Sequence, residues 1–182
     1  TVGKPSGEMR DRFTRVLKGH IAIATARFPS GTSGGQLDAL ARHSLWEAGI
    51  DFEHGTGHGV GSFLSVHEGP QRISKNLGSS ALRPGMIISN EPGYYKTDCY
   101  GIRIENLLVV IEATIDGILK DSFLEFETLT LAPIDRALIM ENMLSISEKK
   151  WLNDYHTKVH TQLARHCEPD IRRWLKDVTS PI

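Results

Sequence analysis

The pattern of apolar positions opens with two amphipathic helices. Phe13, Val16, Leu17, Ile21 and Ala24 recur on one helical face, Ser6 is the cap that predicts the start, and Phe28-Pro29-Ser30-Gly31 stops the pattern. A second face is written by Leu37, Leu40, Ala41, Leu45 and Ala48, beginning near Ser33 or Gly35 and ending at Gly49. Both read as scaffold packed on a sheet. Downstream come runs of strand length. Residues 72–83 predict a short strand and an exposed polar loop, and Leu82-Arg83-Pro84-Gly85 is a turn that launches Met86 to Ser89 as a strand ended by Pro92-Gly93. From Gly101 the period becomes two, with Ile102 and Ile104 on one face and Arg103 and Glu105 on the other. That strand is expected to continue into the interior run from Leu107 to Ile111. Phe123 to Leu131 predicts a further strand ending at Pro133.

After Pro133 the pattern turns helical again. Trp151, Leu152, Tyr155, Val159 and Leu163 form one stripe, Glu168-Pro169 breaks it, and Ile171, Trp174, Leu175 and Val178 form a shorter one. The chain therefore divides into residues 1–133 and a helical extension, residues 134–182. Trp151 and Trp174 are the expected anchors of that extension on the domain or on a second subunit.

The run Phe52 to Gly61, FEHGTGHGVG, fits neither period. His54 and His58 stand among Gly55, Gly57, Gly59 and Gly61, too much glycine for a helix, so the histidines are not ligands on one helical face. Taken alone, such a run reads as a loop with solvated histidines. Two later stretches favour chemistry instead. Glu91 follows the apolar run Met86-Ile87-Ile88, and Glu105 precedes the run from Leu107, so each carboxylate stands at the end of a predicted buried strand. Arg103 and Glu105 could also be a surface ion pair, but the interior run that follows favours a cleft. One imidazole and two carboxylates on rigid elements make a mixed nitrogen and oxygen set suited to a divalent metal.

Composition narrows the class. The 182 residues are 40% hydrophobic and 24% charged with a net charge of -1, which favours a soluble globular protein and gives no pull toward nucleic acid or anionic membrane. Cys99 and Cys167 carry no CxxC spacing, there is no leader-like segment and no apolar run of transmembrane length, and a cytoplasmic location is expected. The glycines do not spell G-x-G-x-x-G or a P-loop, His67-Glu68 lacks the partner histidine of a zincin, and no G-x-S-x-G elbow is present.

HGTGHGVGSFLSVHEGP, SNEPGYY and YGIRIENLLVV, in that order, resemble the signature segments of the aminopeptidase P branch of the creatinase-like, pita-bread metallopeptidases (M24). WLNDYH is similar to the C-terminal extension of the cytosolic-type members. The resemblance implies an α+β pita-bread fold, incomplete at its N-terminal side. It implies His58, Glu91 and Glu105 as metal ligands, Glu105 bridging two divalent ions, commonly manganese, with zinc or cobalt as alternatives. Glu91 would also handle a proton, His54 and His67 would line the substrate site, and Arg103 would stand beside the bridging glutamate. The implied reaction releases the N-terminal residue of a peptide with proline in second position, through a hydroxide that two ions about 3.5–4 Å apart make available at neutral pH. A homodimer is the implied assembly.

Two aspartates complete this ligand set in the family, upstream of the first helix. Before Phe13 the only aspartate is Asp11, inside the predicted helix, and the chain starts at Thr1 without an initiator methionine. The expectation is a fragment that lacks both aspartates, binds metal weakly and is inactive alone. A prolidase cutting only Xaa-Pro dipeptides and a non-catalytic binding module are the competing readings.

Overall fold

The computed structural model describes residues 1, 3–63, 65–78, 80–116 and 118–182. Leu64, in the loop expected to carry His67, and Ser79, in the loop after residue 72, lie outside the described residues. In chain order the elements are α1 Gly7–Ala24, β1 Phe28–Pro29, α2 Gly34–Trp46, β2 Gly57–His58, β3 Arg72–Ile73 and β4 Ile87–Asn90. There follow β5 Gly93–Lys96, β6 Tyr100–Arg103, β7 Asn106–Ile115, β8 Ile118–Thr128, α3 Ile146–Leu163 and α4 Pro169–Val178.

Both predicted helices form, and each start has a visible cause. The Ser6 hydroxyl accepts the Met9 N–H at 3.2 Å, and the Gln36 side chain returns to the Ser33 N–H at 2.8 Å. Leu37, Ala41 and Leu45 are buried, whereas Leu40, expected with them, is 42% exposed. At 3.6 residues per turn it stands roughly 100° from the middle of that stripe.

Contacts divide the chain into two compact units, Val16–Thr130 and Thr1–Arg15 with Leu131–Ile182. The first is built on an antiparallel sheet of order β1-β8-β7-β4. Phe28-Pro29, read from sequence only as a helix stop, is its edge strand, a place where proline's missing N–H is tolerated. Ile23, Leu37 and Ala41 from the helices pack with Ile88, Leu108 and Leu124 of the sheet. Each fully buried aliphatic side chain there contributes about 1.5–3 kcal/mol.

The strand expected to run unbroken from Gly101 to Ile111 is two strands: β6 pairs with β5, and β7 pairs with β4. The cause is on the partner. Pro92 faces the break and has no N–H, so it cannot return the bond that Ile104 N–H makes to Pro92 O at 3.3 Å. The predicted alternation survives the break, with Ile102 and Ile104 buried and Arg103 and Glu105 exposed.

In the second unit α3 starts at Ser145, which accepts the Glu148 N–H at 3.2 Å while the Glu148 carboxylate accepts the Ser145 N–H at 2.7 Å. Leu152, Tyr155, His156 and Val159 are its buried residues. The Tyr155 hydroxyl donates to Ala132 O at 2.8 Å and accepts from Ala132 N–H at 3.1 Å, and His156 Nε2 accepts the Ile134 N–H at 3.1 Å. Trp151 stacks on Tyr155 with ring centres 5.3 Å apart. Trp174, the other expected anchor, is 54% exposed, because α4 buries Leu175 instead.

Candidate functional site

The glycine-histidine run is extended. Thr56 O accepts the Glu91 N–H at 2.8 Å, Gly59 bridges Ile88, and Val60 N–H reaches Ile87 O at 3.3 Å, so residues 56–60 run antiparallel beside β4. That register sets His58 across from Ser89. The pleat then puts the side chains of His58, Ser89 and Glu91 on one face, His58 and Glu91 as a diagonal cross-strand pair. Glycine is required for the approach: a Cβ at Gly57 would drive into the carbonyl oxygen of Ser89, and one at Gly59 into that of Glu68.

On its other side β4 runs against β7, with Ile87 facing Val109 and Asn90 facing Asn106. Beyond the break at Pro92, Gly93 faces Arg103 and Tyr95 faces Gly101, which is the same register. Glu91 and Glu105 therefore occupy opposing positions at the interruption. Like charges directly opposed on a sheet repel, so this rung calls for a positive partner.

The side chains form a chain of contacts. His58 Nε2 lies 3.0 Å from Glu91 Oε1, and Arg103 Nη1 lies 2.9 Å from Glu91 Oε2. The Ser89 hydroxyl accepts the His58 backbone N–H at 2.9 Å and donates to Glu91 Oε1 at 2.8 Å. Arg103 Nε donates to the Tyr95 hydroxyl at 2.8 Å, and the Tyr95 ring meets the edge of His54 at 5.3 Å. The His67 ring is centred 4.1 Å from that of His58. Burial would lower the pKa of Arg103, but the Tyr95 hydrogen bond and the charges of Tyr95, Glu91 and Glu105 raise it above its ordinary value.

One detail tests the site for a cation. His58 Nδ1 lies 3.0 Å from Gly59 O, and since a carbonyl only accepts, Nδ1 carries the proton and Nε2 a lone pair in the neutral ring. That lone pair faces a carboxylate oxygen, an arrangement that a proton on Nε2 or a shared metal ion would hold together. The set fits a divalent metal. Glu105 is exposed, and among the described residues no three His, Cys, Asp or Glu side chains converge on one point.

A cavity of about 330 Å³ opens beside His58 and His67, bounded by Glu68, Gln71 and Arg72. Behind it, Arg42 is fully buried and supports the run that carries the histidines. Its Nη1 donates to Phe52 O at 2.5 Å and its Nη2 to His54 O at 2.8 Å, while Nε pairs with Asp38 Oδ2 at 2.6 Å. The Thr56 hydroxyl donates to Asp38 Oδ1 at 2.6 Å. Sequence reasoning missed Ser89, Tyr95 and Arg42. The first two had a signal, since the period of two from Glu91 places Ser89 and Tyr95 on its face; Arg42 sits inside a helical stripe and had none.

Comparison with known proteins adds to this geometry. The family model described as metallopeptidase family M24 matches residues 1–112, and that of the C-terminal region of peptidase M24 matches residues 122–182. The chain is 50% identical over 185 residues to the probable Xaa-Pro aminopeptidase P of Coprinopsis cinerea, covering 99% of this chain and 30% of that one. It resembles the crystal structure of X-prolyl aminopeptidase from Caenorhabditis elegans, a cytosolic enzyme with a di-nuclear active site, with TM-score 0.92, 42% identity and coverage of 98% of this chain and 29% of the other. Prolidase from Pyrococcus furiosus is matched with TM-score 0.55 and 31% identity, over 69% of this chain and 34% of that one. The chain thus spans about 30% of the length of the curated relatives it matches. The expected α+β architecture of the pita-bread kind is borne out by these neighbours.

Proposed function

Because this chain belongs to metallopeptidase family M24, we propose that the whole protein is an Xaa-Pro aminopeptidase to which these residues contribute His58, Glu91 and Glu105 as metal ligands. The observation that carries the reading is the opposition of Glu91 and Glu105 across the sheet break, with His58 Nε2 at 3.0 Å from Glu91 Oε1. When bound, two divalent ions, manganese by preference and zinc or cobalt as alternatives, supply Lewis acidity and a water acidic enough to attack at neutral pH. Glu91 would hold a proton at a carboxylate oxygen and deliver it to the proline nitrogen, which the tertiary amide needs because its nitrogen leaves as an amine. Arg103 holds Glu91 in place through Oε2 and offsets the charge of the opposed carboxylates. His54 and His67 donate to the substrate carbonyl oxygen as it gains charge or hold the substrate backbone.

Substrate choice rests on the Xaa-Pro bond having no N–H, so a site shaped to the ring accepts what other peptidases reject. Aminopeptidase is favoured over dipeptidase by the extension, residues 134–182, since the worm aminopeptidase covers 98% of the chain and the archaeal prolidase 69%. The division at residue 133 belongs to the same proposal, as do a homodimer and a cytosolic location like that of the worm enzyme. The 182 residues by themselves hold metal weakly and are inactive, because three ligands leave two ions short of partners.

The test uses the full-length protein with manganese and a tripeptide of the Xaa-Pro-Xaa kind. Glu105→Gln and His58→Ala are expected to lose metal and about 10²–10⁴-fold in kcat/KM. Wild-type rates and metal content in Glu105→Gln would overturn the assignment, and faster cleavage of the Xaa-Pro dipeptide than of the tripeptide would favour a dipeptidase.

A further inference from the structure

Directly behind the opposed carboxylates lies a buried polar cluster that no step above uses. Asn90 immediately precedes Glu91, Asn106 immediately follows Glu105, and the two asparagines face each other as the last rung of the β4–β7 ladder before the break. The period of two turns their side chains to the face away from the glutamates, into the interior, where they are 0% and 4% exposed. On that face stands His20 of α1, also 0% exposed. This one residue reaches both strands. Its carbonyl accepts from Asn90 Nδ2 at 3.0 Å, and its ring Nε2 lies 2.9 Å from Asn106 Oδ1. Asn106 Nδ2 donates onward to Thr130 O at 2.9 Å, which fixes the amide's orientation, so Oδ1 accepts and His20 Nε2 is the donor.

Three polar residues buried against an apolar sheet are costly unless their bonds are held, so the cluster resists any relative movement of α1, β4 and β7. It stands where the ladder is weakest. At the next position the opposed carboxylates push the strands apart, and at the one after it Pro92 offers no N–H. We infer that His20 is a positioning residue for the metal centre: by tying Asn90 to Asn106 across the last complete rung, it sets the spacing at which Glu91 and Glu105 face one another. Burial holds the His20 pKa down to about 4, so the clamp is neutral through the working range of pH. The inference rests on the reading of Glu91 and Glu105 as partners of a shared metal.

The experiment uses the full-length protein stripped of metal with a chelator and titrated with Mn²⁺ in a calorimeter, alongside thermal melting and steady-state kinetics. His20→Leu is expected to weaken Mn²⁺ binding about 10–100-fold and to lower kcat while KM for the Xaa-Pro peptide stays put. His20→Gln, whose amide N–H can reach Asn106 Oδ1, restores most of the affinity. Asn90→Ala cuts the other arm of the clamp and gives a second, independent loss. Ile23→Ala, in the same helix and equally buried but an apolar member of the core cluster with Ile88 and Leu108, lowers the melting temperature and leaves Mn²⁺ affinity unchanged. Folded His20→Leu and Asn90→Ala proteins that bind Mn²⁺ as the wild type does would overturn the inference alone. Loss of affinity in Ile23→Ala in proportion to its lost stability would overturn it too, by showing a general effect of unfolding. A wild type that takes up no Mn²⁺ would overturn the metal reading and this inference together.

Discussion

In the unit Val16–Thr130, buried polar side chains gather where strands end in charged residues; in the unit Thr1–Arg15 with Leu131–Ile182, they gather where irregular backbone would lose its partners. Arg42, Asp38 and Thr56 hold the approach to the histidines, Ser89 holds Glu91, and His20 holds the rung beside the carboxylates. In the other unit, Thr14 accepts the Met140 N–H at 2.9 Å, Tyr155 takes both backbone groups of Ala132, and His156 takes the Ile134 N–H. Similar residue types serve two ends. In the first unit they orient the histidine run and the carboxylates proposed as ligands, and in the second they satisfy the backbone, where an unpaired buried N–H or C=O is costly.

The comparison breaks or sharpens under substitution. The largest effect is expected from Arg42→Met, which strips a fully buried guanidinium, leaves Asp38 buried without its partner and frees the carbonyls of Phe52 and His54. Urea unfolding should show a loss of about 3–5 kcal/mol, with activity in the full-length protein falling beyond what the folded fraction explains. A loss of stability alone, with kcat per folded molecule intact, would place Arg42 with the backbone-serving groups of the other unit.

Acid comes next and acts on both units. Burial depresses the pKa of His20 to about 4, and burial with the nearby Arg136 charge does the same for His156, from an ordinary value of 6.5. Between these values the unfolded chain binds protons that the folded one refuses. The stability from each is therefore fully present above about pH 6.5 and is lost as pH falls toward 4, about 3 kcal/mol per residue at most. His156→Gln should flatten roughly half of that slope between pH 7 and 4 and leave Mn²⁺ affinity unchanged. An unaltered slope in that variant would show that His156 is not among the groups responsible.

The smallest effect is expected from Tyr155→Phe. Losing both bonds to Ala132 should lower stability by about 1–2 kcal/mol, read by thermal or urea unfolding, with kcat/KM of the full-length protein unmoved. A drop in kcat/KM would mean that the second unit also shapes the site.

Much of this architecture is legible along the chain because its causes are local. The two first helices follow from apolar spacing, their starts from Ser6 and Ser33, and the strand ends that carry Glu91 and Glu105 from apolar runs bounded by proline and glycine. The split at Ile104 and Glu105 was not legible, because its cause, Pro92, lies in the opposing segment between β4 and β5. Trp174 looked like an anchor by type, yet Leu175 is the residue that α4 buries. His20 gave no signal either, since a histidine within a helical stripe is locally indistinguishable from one at a surface.

The sequence by itself determined which elements form and which donor atoms their ends can offer, since helical spacing, strand alternation and the glycines around His54 and His58 are short-range properties. Only the tertiary structure decided that Glu91 faces Glu105, that His58 Nε2 meets Glu91, and that one buried histidine ties the two neighbouring asparagines. Those are relations of register between segments far apart along the chain. A one-residue slip would turn every one of these side chains to the wrong face without changing a single local preference.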